Sequence, residues 1–223
     1  MFTGMTTQRA PRKYEQKRRA EQQAETRRRI VEAMVALHAE VGPARTTISA
    51  IAERAGVERL TVYRHFGDET AMFEACSSHF ASEVVSPPDP AAWVGIEDAA
   101  ERLHAALRAF YAYYRRAERM LTHVHRDLPT LPALAAVMAP WDAFVADVRD
   151  GVVAAWAREG LDGAAARARL AAVVAHALRF ETWRSLAGTG AVDAAIGDAD
   201  VAELMVALAR AAAAPADVPA VRG

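Results

Sequence analysis

Three prolines within four positions, in Ser86-Pro87-Pro88-Asp89-Pro90, stop any helix from running through this stretch of the chain. The break separates an N-terminal third from a larger C-terminal part. On both sides the composition favours helix. Alanine supplies 53 of the 223 residues against 12 glycines and 10 prolines, and alanine is the best helix former and is depleted in strands. No useful run alternates apolar and polar residues as a half-buried strand does, and no hairpin turn signal appears. The expected fold class is all-α.

Glycine and proline punctuation divides the rest. Residues 1–13 are polar, contain Pro11 and lack periodicity, so they read as a disordered basic arm. From Tyr14 onward helix is allowed, and Ile30, Met34, Leu37 and Val41 form an apolar stripe that ends at Gly42-Pro43. Thr47 is placed to cap a short helix from Ile48 to Ala55, which Gly56 stops. A third helix spans Arg59 to Phe66. Beyond Gly67, Asp68 caps a fourth that extends to Val84. Residues 14–85 thus form one expected unit, 86–95 a Pro-rich linker, 96–214 a larger helical unit and 215–223 a disordered tail. The larger unit is expected to hold helices at Ile96–Arg116, Glu118–Asp127, Ala133–Glu159, Ala164–Leu186 and Asp198–Ala213. Pro140 predicts a kink or break near Met138.

The segment from Thr47 to Phe66 carries the strongest functional signal. Two short helices crossing at a tight turn need a small residue at the crossing and a left-handed residue in the turn. Ala52 and Gly56 meet those needs, and Ile51, Val57 and Val62 can hold the pair to the first helix. A plain αα-hairpin satisfies the same rules, so this pattern does not by itself specify DNA binding. Charge adds to it: residues 1–30 hold nine Lys or Arg against three Glu, on a chain whose net charge is −1. Such a basic end on an acidic body suits a polyanion, or simply a solvated tail.

The run Thr47-Ile-Ser-Ala-Ile-Ala-Glu-Arg-Ala-Gly-Val-Glu-Arg-Leu-Thr-Val-Tyr-Arg-His-Phe66 closely resembles the DNA-binding signature of the TetR family of bacterial transcriptional regulators. The matching features are a Thr four residues before Ile-Ala, then Ala-Gly-Val, then Thr-Val-Tyr-x-His-Phe, and the resemblance is strong over residues 24–75. It implies an N-terminal three-helix helix-turn-helix domain followed by a helical domain for ligand binding and dimerisation. It also implies that Thr47, Tyr63 and His65 meet phosphates, a role that hydroxyl and imidazole donors suit. Arg59, Thr61 and Arg64 are the candidates to reach base edges, since arginine pairs with guanine and a threonine methyl meets thymine. Two positions depart from the family pattern. Glu58 stands where a small hydroxyl residue is usual, and either caps the recognition helix or repels phosphate. Glu69 replaces a usual backbone-contacting Lys, for which Arg18, Arg19, Arg27 and Arg28 compensate.

The resemblance further implies a small-molecule effector bound in the C-terminal unit. Tyr111, Trp141, His176 and Phe180 are the candidate contacts, drawn from an aromatic set that serves equally well as plain core. The helix 164–186 is apolar on more than one side, and the last helix has its own stripe. Leu170, Val174, Val201, Leu204, Met205 and Leu208 are therefore the expected interface of a homodimer, whose two-fold symmetry matches a palindromic operator on double-stranded DNA. The function expected is an effector-released repressor. The alternative is a constitutive architectural DNA-binding protein without effector.

An enzyme is not expected. No Gly-rich phosphate loop, nucleophile elbow, zinc pattern or paired carboxylates stand out, and His125-Arg126-Asp127 lacks the other parts of a kinase site. The one cysteine, Cys76, excludes an internal disulfide and a Cys-based zinc site, and neither metal nor cofactor is expected. Apolar runs are far short of the ~20 residues of a membrane span, and Met1 to Ala20 has no apolar signal core. The expected location is the cytoplasm.

Overall fold

The computed structural model describes residues 12–188 and 196–214, which hold nine α-helices and no strand. Helix α1 (Arg12–Glu40) buries apolar side chains only in its C-terminal turns, where Ile30, Met34 and Leu37 point inward. Its first half, Tyr14 through Arg29, projects mainly into solvent. The apolar stripe stops at Leu37, because Val41 lies beyond the helix end and is exposed. Most of the expected arm, residues 1–11, and the expected tail, residues 215–223, lie outside the described residues, while Arg12 and Lys13 open α1.

Helices α2 (Ile48–Ala55) and α3 (Arg59–His65) form the helix-turn-helix. Thr47 caps α2 by accepting the Ala50 N–H at 3.1 Å, and Gly56 takes the left-handed angles φ 64 and ψ 42 that the turn requires. Ile51, Ala52, Val62 and Phe66 pack together with Ile30 and Met34 of α1. Asp68 caps α4 (Glu69–His79) through the Ala71 N–H at 2.8 Å, and the helix runs on as one wide π-type turn, Phe80–Val84. From Val85 to Asp98 the chain makes only a single 3₁₀ turn, Pro90–Ala92, as three prolines dictate.

The larger part corrects two expected boundaries. Residues 99–127 form one helix, α5 (Ala99–Asp127), with no break at residue 117. Arg116-Ala117-Glu118 contains only helix-favouring residues, and Ala117 is buried against the core. Its start is set by Asp98, which accepts the Glu101 N–H at 2.7 Å. Helix α6 (Pro132–Arg158) runs through Pro140 without interruption.

The expected helix 164–186 is instead two, α7 (Ala164–Ala177) and α8 (Phe180–Leu186). Arg179 is extended between them, and side chains take up the carbonyls at the break. Tyr111 Oη donates to Ala177 O at 2.9 Å, Tyr114 Oη to Leu178 O at 2.5 Å, and Thr182 Oγ1 to His176 O at 2.7 Å. Burial pushes the pKa of both tyrosines upward, so they stay protonated donors. Helix α9 (Asp198–Ala213) packs on α5 and α7 and closes the second core around Phe110, Tyr114, Trp183 and Leu170.

The two cores are joined rather than separate. Met120 and Val124 of α5 and Leu134 of α6 belong to the cluster built by α1, α2 and α4. At the end of α5 a polar joint fixes the turn after α1. Asp127 Oδ2 accepts the Ala44 N–H at 3.0 Å, Arg126 Nη2 donates to Val41 O at 2.9 Å, and the two side chains pair with each other. Gly42, at φ 96, lies against this joint, and a Cβ there would fall 2.6 Å from Asp127 Oδ2.

Candidate nucleic-acid interface and apolar cavity

Helix α3 divides cleanly into two faces. Val62 and Phe66 are buried, whereas Arg59, Tyr63 and Arg64 stand outward and Thr61 and His65 are half-buried at the boundary. Arg64 Nη2 donates to Thr61 Oγ1 at 3.0 Å, which orients the guanidinium along the outer face. Tyr63 is 55% exposed, with its ring free to approach a backbone. The Thr47 hydroxyl accepts within α2, so its proton remains able to donate outward. Burial, then the charges of Arg27 and Arg64, lower the pKa of His65, so near pH 7 it offers a neutral N–H donor.

Two further residues shape this face, and neither was singled out in this role by the sequence pattern. Leu60, 62% exposed, presents an aliphatic side chain beside Arg59 and suits contact with a thymine methyl or a sugar. An exposed leucine one turn before Arg64 is its only sequence signal. Arg27 is a strut: its Nη1 donates to the His65 carbonyl at 2.8 Å, and its guanidinium lies 4.2 Å from the Phe66 ring centroid. It ties α1 to the C-terminal end of α3.

The expected compensation for Glu69 is therefore narrower than four arginines. Arg27 is engaged as this strut, and Arg28 pairs with Glu25 at 2.7 Å and with Glu32. Arg19 instead lines an open groove between α1 and α3, together with Arg27, Thr61, Arg64 and His65. Glu58 precedes α3 in extended conformation with no side-chain cap bond, so it does not cap the recognition helix.

The second site is a cavity of about 530 Å³ where α1, α4, α5 and α6 meet. Phe73, Phe80, Met120, Trp141 and Phe144 give it a mainly apolar wall, and His38, Glu74 and Tyr113 bring polar atoms to it. The size and lining suit a small organic molecule. Of the four ligand-contact candidates, only Trp141 lines it. Tyr111 is fully buried with its hydroxyl bound to the α7 carbonyl, Phe180 packs against Tyr114 and Trp183, and His176 is exposed on α7. What the sequence did not reveal is that α4 supplies a wall of this cavity through Phe73, Glu74 and Phe80. The apolar stripe of α4 reads equally well as the core of the N-terminal unit.

Within the cavity wall His38 Nδ1 lies 3.2 Å from Cys76 Sγ. Burial holds the imidazole down at about 4 and pushes the thiol up to about 12, so both are neutral. The unfolded imidazole binds its proton near pH 6.5, well before the folded one does. Stability should therefore be complete above pH 6.5 and fall as pH drops toward 4, by about 3 kcal/mol from this group. Urea denaturation at pH 7 and pH 4.5 should show this loss, and His38→Gln should show a shallower one. Equal losses in both proteins would remove His38 from the account.

The dimer candidates also divide. Leu170, Val174, Val201 and Met205 are buried within the protomer's own core and cannot face a partner. They pack α7 and α9 against each other and against α5. Leu204 and Leu208 are 43% and 45% exposed, and with the exposed alanines Ala165, Ala168 and Ala172 of α7 they offer an outward apolar face.

Residues 30–76, from the buried part of α1 to Cys76 of α4, match the family model of the bacterial regulatory proteins of the tetR family. That segment is the DNA-binding part of the TetR family. The protein is a DNA-binding transcriptional regulator with a helix-turn-helix, and TetR-family regulators are transcription factors rather than enzymes. The whole fold agrees. A putative TetR-family regulator from Syntrophomonas wolfei is 17% identical, with a TM-score of 0.60 over 88% of this chain and 98% of that one. NalD, the secondary repressor of the MexAB-OprM multidrug efflux pump in Pseudomonas aeruginosa, is 22% identical, with a TM-score of 0.56 over 86% and 96%. AibR, solved with isovaleryl coenzyme A and operator DNA, is 18% identical, with a TM-score of 0.55 over 82% and 97%. No curated protein sequence matches the chain. Among the described residues no helix is long and apolar enough to cross a membrane.

Proposed function

We propose that this TetR-family protein is a homodimeric repressor that binds a palindromic operator and is released by a small, largely apolar effector. The observation that carries the reading is the double duty of α4. The same helix that lines the cavity with Phe73 and Phe80 packs on α1 and follows α3 after only Phe66-Gly67-Asp68. A ligand that pushes on this wall moves the recognition helix of its protomer. In a dimer, that changes the spacing between two helices that must enter successive major grooves. The ligand shifts the equilibrium only by its differential affinity for the misspaced state.

Repression is supported by the likeness to NalD, described as a repressor, and effector binding by the likeness to AibR with its bound thioester. The outward face of Leu204 and Leu208 supports a dimer formed across α7 and α9. By this reading Thr47, Tyr63 and His65 hold phosphates, while Arg59, Thr61 and Arg64 face base edges.

Two substitutions separate these roles. Tyr63→Ala should weaken every operator variant alike, by about 1.5–3 kcal/mol, because a phosphate bond carries no sequence information. Arg64→Ala should relax preference at one position in each half-site, by ~1–3 kcal/mol. Binding measured across a set of single-base operator variants distinguishes the two patterns. An unchanged preference in Arg64→Ala would assign base reading to another residue.

A further inference from the structure

The charge pattern of the cavity limits what can occupy it. Among the described residues that line it there is no lysine or arginine, and the one acidic side chain is Glu74. Glu74 lies on α4 and is exposed, so it stands at the rim where the cavity meets solvent. His38 and Cys76 are held neutral by burial and add no charge. Aromatic rings line the cavity from α5 and α6: Tyr113 and Trp141 lie 5.3 Å apart, and Trp141 and Phe144 5.6 Å. Aromatic faces attract cations and repel anions.

We infer that the effector is an apolar organic cation, an aliphatic or aromatic body bearing an ammonium group, with its charge near Glu74 and its body against Trp141 and Phe144. This rests on the proposed role of the cavity and adds the charge of what it takes. An anionic effector would bring its charge toward the Glu74 carboxylate and find no cationic side chain in the lining to offset desolvation. The acyl thioester seen with AibR, whose coenzyme carries phosphates, is therefore not the class expected here. Because Glu74 belongs to α4, the attraction acts on the helix that carries the motion toward α3.

Three ligands that share a ten-carbon chain provide the test: decyltrimethylammonium, decan-1-ol and decanoate, each kept below its micelle concentration. Binding to the full-length protein is followed by tryptophan fluorescence, which Trp141 makes sensitive to occupancy, and by calorimetry. The expected order is cation over alcohol by roughly tenfold, with decanoate weakest. Glu74→Gln should remove most of the advantage of the cation, leaving only what the aromatic rings contribute, with decanol affinity unchanged. Glu74→Lys should reverse the order in favour of decanoate. Decanol or decanoate binding as tightly as the cation would overturn the charge inference and leave the cavity as the effector site. Binding of none of the three would overturn both.

Discussion

Replacing Leu204 and Leu208 together with arginine should convert the protein to a monomer and reduce operator affinity at least about a hundredfold, the scale on which linked binding events exceed single ones. The two leucines lie one turn apart on α9 and are about half exposed, whereas their neighbours Val201 and Met205 are buried in the protomer's own core. The substitutions therefore leave intramolecular packing intact and act on the outer face alone. At a two-fold axis each protomer would place two guanidinium groups against two others, with charge repulsion and desolvation opposing closure. Sedimentation should show a folded monomer, and helical content by circular dichroism should be unchanged. A soluble, fully dimeric double variant would place the interface elsewhere.

The second large effect is expected at the joint between the two cores. Asp127→Ala removes the buried carboxylate that receives the Ala44 N–H and pairs with Arg126. Leaving these donors without their acceptor should cost about 1–3 kcal/mol of stability. The larger consequence concerns regulation. Asp127 and Arg126 tie the end of α5, whose Met120, Leu121 and Val124 line the cavity, to the turn that leads into α2. With the tie cut, a ligand that quenches Trp141 should bind with near-normal affinity yet release DNA less completely, because only the α4 route remains. The coupling lost would be in the usual range of about 1–3 kcal/mol. Full release of operator by ligand in this variant would show that α4 alone carries the signal.

The N-terminal unit was legible in the sequence because its constraints are local. Thr47, Gly56 and Asp68 are each required by the backbone angle or cap they supply, and each occupies the expected position. Tyr63 and Arg64 follow from the helix period once Val62 and Phe66 are inside. The larger unit was less legible because alanine-rich helices are apolar on several sides. Val201 with Met205 and Leu204 with Leu208 are both pairs at four-residue spacing, and only tertiary packing shows which one turns inward. The break at Arg179 has no glycine or proline to announce it. It exists because Tyr111 and Tyr114, more than sixty residues away, supply hydroxyls to the carbonyls at the break. The same two bonds explain why Tyr111 is absent from the cavity. Phe73 and Phe80 were hidden in the opposite sense, since they sit on a helix assigned by sequence to the DNA-binding unit yet wall the cavity of the other.

The most direct measurement is selection of bound duplexes from a random library by the purified full-length protein, repeated with a cavity ligand present. A homodimeric regulator should enrich one inverted repeat whose half-sites are spaced for two recognition helices, and lose that enrichment when the ligand is added. Enrichment of a single unpaired half-site would contradict the dimer. Binding without sequence preference, unaffected by any cavity ligand, would contradict the regulator itself and favour an architectural DNA-binding protein.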